Sequence, residues 1–128
     1  MKIEHIAVGS TTEQESDNFF IDLLDLKKAR FFSVSAELMT QFFNINKETN
    51  VIRYEGEYIN IEVFLTGDKN KVKDRFTHNC LLVENPEQLL KRAKEMGYEF
   101  IKVPRKDTGY YYFIFDSTGN RYEIKQMN

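Results

Sequence analysis

The chain has 128 residues, which is enough for one domain with a proper core and too few for two large ones. A net charge of −2 provides no basic surface for a phosphate backbone, so nucleic acid is not an expected partner. No apolar run approaches the length of a membrane span and no signal peptide is recognisable, so we expect no membrane partner and a cytoplasmic location, with which the single cysteine agrees.

The first half of the chain has the patterns of a strand, a helix and three further strands. An apolar run opens the chain, and hydroxyl caps with apolar residues at helical spacing come next. A second strand, an insertion of good helix formers and a hairpin follow, and then a polar segment that we expect to link two modules. The expected elements are strand 2–8, helix 12–25, strand 27–35, helix 36–43, strands 51–54 and 58–65, and linker 66–75.

The second half repeats this order with clearer boundaries. Asn85 and Pro86 indicate a helix start, because Asn caps the first amides and Pro suits the first helical position, and Gly97 favours its end. The helical spacing predicts a buried stripe made of Leu89, Leu90, Ala93 and Met96. The expected strands are 76–83, 98–103, 110–115 and 121–126.

The two halves are predicted to be copies of one module. The only two histidines, His5 and His78, each lie near the start of an apolar run, eight residues before a helical segment (13 − 5 and 86 − 78). Both halves then have the order strand, helix, strand, strand, strand, and the first contains a helical insertion. We therefore expect an α+β fold of two βαβββ modules, 1–66 and 75–128, within a single domain of residues 1–128.

Glutamates occupy equivalent places in the last strands of the two modules. Strand alternation puts Glu62 and Glu123 on the faces opposite the apolar side chains of their own strands. If the modules pair along their first and last strands, both glutamates converge with both histidines, and this donor set suits Zn, Ni, Co, Mn or Fe(II). Taken singly, each of these residues is more often structural or solvated, and the repeat is what favours a site. Cys80 shares a strand face with His78 and is expected to be a small buried thiol.

These residues resemble the metal positions of the vicinal oxygen chelate superfamily. That superfamily includes glyoxalase I, methylmalonyl-CoA epimerase, fosfomycin-resistance thiol transferases, extradiol dioxygenases and bleomycin-binding proteins. The resemblance covers nearly the whole chain, and its most specific part is the ending Asp116-x-x-Gly119-Asn120-x-x-Glu123. It implies a glyoxalase-like pair of half-barrels with one divalent ion per chain. The implied ligands are His5, Glu62, His78 and Glu123.

The activity that this resemblance implies is that of a lyase or isomerase of the glyoxalase I or epimerase type, with a small-molecule substrate. In such an enzyme the ion chelates two neighbouring oxygens and stabilises an enediolate, while a carboxylate, here Glu123 or Glu62, removes a carbon-bound proton. Gly9 stands where glyoxalase I commonly has an arginine that binds glutathione, so a glutathione adduct is not the only candidate substrate. Another thiol adduct, a 2-oxo acid or a CoA-type acid is an alternative substrate. The resemblance further implies a homodimer that completes its cavity across subunits, which also removes exposed sheet edges.

Two other functions stay open. One is a metal-free small-molecule binding protein that resembles the bleomycin-resistance proteins and uses its aromatic strand as a stacking surface. Alternation in that strand directs either Tyr110 and Tyr112 or Tyr111 and Phe113 into the cavity. The other is an Fe(II) extradiol-type dioxygenase, which needs only two histidines and one carboxylate. The basic residues of loop 102–106 either are solvated or receive a substrate carboxylate or phosphate.

Overall fold

The computed structural model describes all residues from Met1 to Asn128, which form two compact units, Met1–Lys69 and Asn70–Asn128. We call these units the first and the second module, and each contains one four-stranded sheet. None of the helices has the length and apolar composition needed to cross a membrane. The elements in chain order are β1 (Ile6–Ser10), α1 (Glu13–Asp17), a π-helical segment (Asn18–Leu23), β2 (Lys27–Val34), α2 (Ala36–Phe43), β3 (Thr49–Glu55), β4 (Asn60–Leu65), β5 (His78–Val83), α3 (Pro86–Glu95), β6 (Phe100–Pro104), β7 (Tyr110–Phe115) and β8 (Arg121–Gln126).

The core of the first module lies between its sheet and its first helix. The strand order is β1-β4-β3-β2, with β1 parallel to β4 and the other neighbours antiparallel. Phe20 stacks on Tyr54 of β3 with ring centroids 5.1 Å apart. The Tyr54 hydroxyl donates a hydrogen bond to the Asp17 carboxylate at 2.7 Å and accepts one from the Ser16 hydroxyl at 2.9 Å, which ties the sheet to α1. The fully buried side chains of this module are Ser16, Phe19, Phe20, Leu23, Val51, Ile52, Tyr54, Ile61 and Val63.

Two boundaries in the first module differ from the sequence prediction. The helix expected over 12–25 is an α-helix only as far as Asp17, and its π-helical continuation ends before Asp25, which has a left-handed φ of 60°. The first strand begins at Ile6, so His5 precedes β1 and does not lie within it. This follows from pairing, since the parallel partner of Ile6 is Ile61 at the start of β4.

The second module has the same arrangement on its own sheet. Its strand order is β5-β8-β7-β6, again with a parallel pair, β5 and β8, at one edge. Helix α3 begins as predicted, because Asn85 Oδ1 accepts a hydrogen bond from the Gln88 amide at 3.0 Å. Leu90 and Ala93 are buried, but the prediction for Met96 was wrong, since this residue is 39% exposed. Met96 is the C-cap of α3, beyond the last full turn, and Gly97 follows with a φ of 84°.

The repeated strand order and register confirm the predicted α+β fold of two βαβββ modules. In the first module, the residue two positions after the histidine is Ala7, and it pairs with Glu62. In the second module, the residue two positions after the histidine is Cys80, and it pairs with Glu123. The first module adds α2 between its second and third strands, where the sequence indicated a helical insertion. The same register therefore brings one histidine and one glutamate together in each module.

Candidate metal site

The first module brings His5 and Glu62 together at the edge where β1 and β4 begin. His5 Nε2 lies 3.6 Å from Glu62 Oε1, and the other ring nitrogen, Nδ1, contacts the carboxylate of Glu4. Hydrogen bonds to Arg53 and, to a smaller extent, to His5 lower the pKa of Glu4 to about 2. This carboxylate is therefore ionised at neutral pH and can only accept hydrogen bonds. His5 Nδ1 therefore carries the proton of the neutral ring.

The second module forms the equivalent pair from His78 and Glu123. His78 Nε2 lies 3.4 Å from Glu123 Oε2, and Nδ1 lies 2.8 Å from the carbonyl oxygen of Phe76. A carbonyl oxygen only accepts, so the Nδ1 proton of His78 is also fixed by its partner. The ring of Phe113 packs edge-on against His78 with centroids 5.7 Å apart, and Lys125 Nζ lies 3.8 Å from Glu123 Oε1.

Both pairs have the electrostatic character of a cation site. In the neutral tautomer with Nδ1 protonated, the Nε2 lone pair faces a carboxylate oxygen, and either a metal ion between the two atoms or a proton on Nε2 removes their repulsion. Histidines that bind metals usually donate their second ring N–H to a carboxylate or a backbone carbonyl, and His5 and His78 show one case of each.

The distances within each pair fit two ligands of one ion. Ligand atoms bonded at about 2.0–2.2 Å to a tetrahedral ion lie about 3.3–3.6 Å apart. The N–O distances of 3.6 Å for His5 and Glu62 and 3.4 Å for His78 and Glu123 agree with this range. No group of three or more His, Cys, Asp or Glu side chains is placed to hold an ion in residues 1–128, so the four-ligand set stays a prediction.

Arg53 is a part of the site that the sequence did not indicate. It lies on β3 directly opposite Glu62, and its Nη1 donates to Glu62 Oε2 at 3.2 Å. The same guanidinium binds Glu4 through both terminal nitrogens and Glu55 through Nε at 2.8 Å. Only 15% of the Arg53 side chain and 16% of the Glu62 side chain are exposed. No pattern in the sequence indicated it, because the register of β3 on β4 is what places the arginine beside the glutamate.

The motif with the highest specificity in the sequence forms the turn that precedes β8. The buried carboxylate of Asp116 accepts hydrogen bonds from the amides of Thr118 and Asn120, both at 3.0 Å, and from the buried Tyr122 hydroxyl at 3.2 Å. Gly119 adopts a φ of 93°, which an L-residue rarely tolerates. These contacts fix where β8 begins and hence where its glutamate lies.

The structure also settles which aromatic side chains share a face with Glu123. Phe113 pairs with Glu123 across β7 and β8. Of the two predicted aromatic sets, Tyr111 and Phe113 are therefore the set that lies on the same face as Glu123. Tyr112 lies on the other face, where its hydroxyl donates to Glu87 of α3. Cys80 was predicted to be buried and is exposed, because no helix of its own module covers the face that β5 shares with Glu123.

A groove of about 540 Å³ lies on the helix side of the second sheet, beside the start of α3. Its walls include Pro86, Tyr110, Tyr112 and Ile124, all away from the face that carries Glu123. Lys102 does not serve as a free cation there, since it pairs with Glu87 at 3.0 Å. The guanidinium of Arg105 lies over the Tyr111 ring at 4.3 Å. The groove therefore lies mainly on the other face of the second sheet from Glu123, although Lys125, whose Nζ lies 3.8 Å from Glu123, also lines it.

Comparison with known proteins agrees with this fold. The family model for the Glyoxalase/Bleomycin resistance protein/Dioxygenase superfamily matches residues 2–124. The chain belongs to this superfamily, the vicinal oxygen chelate proteins. Many members of the superfamily are enzymes, and members often bind a divalent metal and commonly form dimers. No curated protein sequence matches the chain.

Solved structures with the same fold include three bacterial proteins of low sequence identity. A glyoxalase family protein from Bacillus cereus superposes with a TM-score of 0.76 at 14% identity, over 98% of this chain and 93% of that chain. A glyoxalase family protein from Enterococcus faecalis superposes with a TM-score of 0.69 at 19% identity, over 96% of this chain and 95% of that chain. The fosfomycin resistance protein FosX from Listeria monocytogenes was solved with Mn(II) and sulfate. It superposes with a TM-score of 0.69 at 12% identity, over 99% of this chain and 93% of that chain. At these identities the likeness concerns the fold.

Proposed function

We propose that this chain is a metal-dependent lyase or isomerase of the glyoxalase I or epimerase type. The observation that carries the proposal is that Nε2 of His5 and Nε2 of His78 each face a glutamate oxygen, at 3.6 Å and 3.4 Å, distances suited to a shared ion. We propose His5, Glu62, His78 and Glu123 as the ligands of one divalent ion per chain, among Zn, Ni, Co, Mn and Fe. The Mn(II) in the FosX structure supports a metal in this fold.

The chain's own residues would divide the work between holding the ion and moving a proton. The bound ion would supply charge stabilisation for two neighbouring substrate oxygens. The two histidines bind it through Nε2 while their Nδ1 partners fix the ring orientation. Of the two carboxylates, Glu123 has no arginine partner like Arg53 and is the better candidate to accept a carbon-bound proton, with Glu62 as the second candidate.

The partner we propose besides the small-molecule substrate is a second copy of the chain, and the location is cytoplasmic. The face of the second sheet that bears Glu123 also presents the exposed apolar side chains Leu82, Ile101, Val103 and Tyr111. Covering such a face on association would remove apolar surface from water. Light scattering at micromolar concentration should give the mass of a dimer, and a monomer with metal still bound would contradict this part of the proposal.

The metal content of the purified protein tests the proposal directly. After mild chelation, the apoprotein is refilled with each of the five candidate ions and assayed by elemental analysis, and we expect about one ion per chain. Activity is then screened as solvent-deuterium exchange into 2-hydroxy-carbonyl compounds, 2-oxo acids and thioesters, with fosfomycin included because of the likeness to FosX. Absence of any bound ion after refilling would reject the metal-dependent enzyme.

Two rival functions are favoured by the ion pair between Arg53 and Glu62. This pair satisfies the carboxylate without any metal, as expected of a metal-free binding protein of the bleomycin-resistance type. It also leaves two histidines and Glu123 as the remaining donors, which is the set that an Fe(II) extradiol-type dioxygenase needs. Metal content separates the first rival from the proposed enzyme. Oxygen uptake with catechols, measured on the Fe(II)-loaded protein, separates the second.

A further inference from the structure

The two modules share their strand order and register, but they differ at the residue that lies opposite each glutamate on the neighbouring strand. In the first module this residue is Arg53, which pairs with Glu62 across β3 and β4. In the second module the equivalent residue is Phe113, which pairs with Glu123 across β7 and β8. One carboxylate therefore lies beside a partly buried cation and the other beside an aromatic ring.

The contacts of Arg53 restrict what Glu62 can do. Arg53 Nη1 donates a hydrogen bond to Glu62 Oε2 at 3.2 Å, and the other oxygen, Oε1, faces His5. The guanidinium is held in turn by Glu4 and by Glu55, so three carboxylates fix its position. With its donors used in this way, Arg53 is not placed to bind a substrate anion.

Glu123 has far less restraint. Its nearest cation is Lys125, whose Nζ lies 3.8 Å from Oε1 and whose side chain is half exposed. A contact of this kind contributes little and exchanges readily with water. Phe113 offers no hydrogen bond, so the Glu123 carboxylate can change its orientation without breaking an arginine ion pair such as that of Glu62.

We propose that Arg53 is the positioning residue that makes the two carboxylates unequal. By holding one oxygen of Glu62, it keeps Glu62 a fixed ligand that binds through a single oxygen, and it leaves Glu123 as the carboxylate that can leave the ion and take a proton. This inference rests on the proposed metal-dependent function. It concerns Arg53, which acts through Glu62 and does not touch the substrate.

The test measures metal affinity in a double-mutant cycle and so does not depend on knowing the substrate. Dissociation constants for Zn and Co(II) are measured by competition with a chromophoric chelator for the wild type, Arg53→Met, Glu62→Gln, Glu123→Gln and the two double variants with Arg53→Met. Arg53→Met should tighten binding, because it removes a nearby positive charge and frees the second oxygen of Glu62. The Co(II) absorption spectrum should change with it, as Glu62 becomes able to bind through both oxygens.

The couplings decide the outcome. We expect the effect of Arg53→Met on metal affinity to change by about fivefold or more when Glu62→Gln is also present, and by less than about twofold when Glu123→Gln is also present. Arg30→Met is the matched control, because Arg30 lies beside Arg53 on β2 but stacks over Phe32 at 4.4 Å instead of pairing with a carboxylate. Arg30→Met should show no coupling to Glu62.

Each other result overturns the inference in a recognisable way. If Arg53→Met couples equally to both glutamates, or to neither, Arg53 does not distinguish them, while the proposed function stands. If the wild type binds no ion after refilling, the proposed function fails and the inference fails with it. If Arg53→Met does not fold, Arg53→Lys takes its place in the cycle, because lysine keeps the charge but lacks the fork that binds Glu4 and Glu62 together.

Discussion

Replacing Asp116 with Ala tests whether the turn before β8 is what places Glu123. The carboxylate is buried and accepts two backbone N–H bonds at 3.0 Å, a bond from the Asn120 side-chain amide at 2.8 Å and one from the Tyr122 hydroxyl at 3.2 Å. Alanine removes the acceptor of all four. The Tyr122 side chain is fully buried, so water does not easily replace the lost partner.

The expected loss of stability follows from these contacts. A buried donor left without its acceptor costs about 1–3 kcal/mol, and the Tyr122 hydroxyl and the Thr118 amide are both buried here. Burial raises the pKa of Asp116 above its ordinary value, so keeping this charge inside has a free-energy cost that alanine removes. Balancing the two effects, we expect Asp116→Ala to lower the free energy of unfolding by about 3 kcal/mol.

Urea unfolding followed by circular dichroism measures this loss. Asp107→Ala is the matched control, since Asp107 is an exposed aspartate in a loop of the same module, and it should stay within about 0.5 kcal/mol of the wild type. The fraction of Asp116→Ala that folds should also bind metal more weakly, because β8 carries Glu123. A stability loss below about 1 kcal/mol, with unchanged metal affinity, would refute the role of this turn.

Three further predictions concern single side chains. His5→Ala and His78→Ala should each weaken metal binding by at least about tenfold while the protein stays folded, since both side chains are more than one third exposed; full occupancy in both variants would contradict the site. Glu123→Gln should slow deuterium exchange by about 10² to 10⁴ at saturating metal, and Glu62→Gln by less; full recovery of both on adding metal would mean that neither is the base. Hydrogen bonds from Thr77 and Phe76 lower the pKa of Asp74 from 3.8 to about 2, so its stabilising effect is present above pH 3.8 and is lost as the pH falls toward 2. Asp74→Asn should therefore lower the melting temperature at about pH 6 and have little effect near pH 2, and an equal effect at both values would show that the charge is not involved.

The sequence by itself determined the repeat and most of the elements, because the signals involved are local. Asn85 and Pro86 start α3 through contacts within one helical turn, and Gly97 ends it through its own backbone freedom. Alternation within one strand was enough to put Glu62 and Glu123 on the face away from the buried side chains. The matched spacing of the two halves then indicated that the two histidines, and likewise the two glutamates, occupy equivalent positions of a repeat.

Only the tertiary structure decided what lies beside those residues. Arg53 reaches Glu62 through the register of β3 on β4, and no pattern within either strand specifies that register. His5 falls outside β1 because parallel pairing begins at Ile6, and Cys80 is exposed because no helix of its module covers its face of the sheet. Contacts between strands depend on the position of the whole sheet, whereas a cap or a turn depends on a few neighbouring residues. For this reason the sequence singled out the two histidines and the two glutamates, but neither their arrangement as one pair in each module nor the arginine that makes the pairs different.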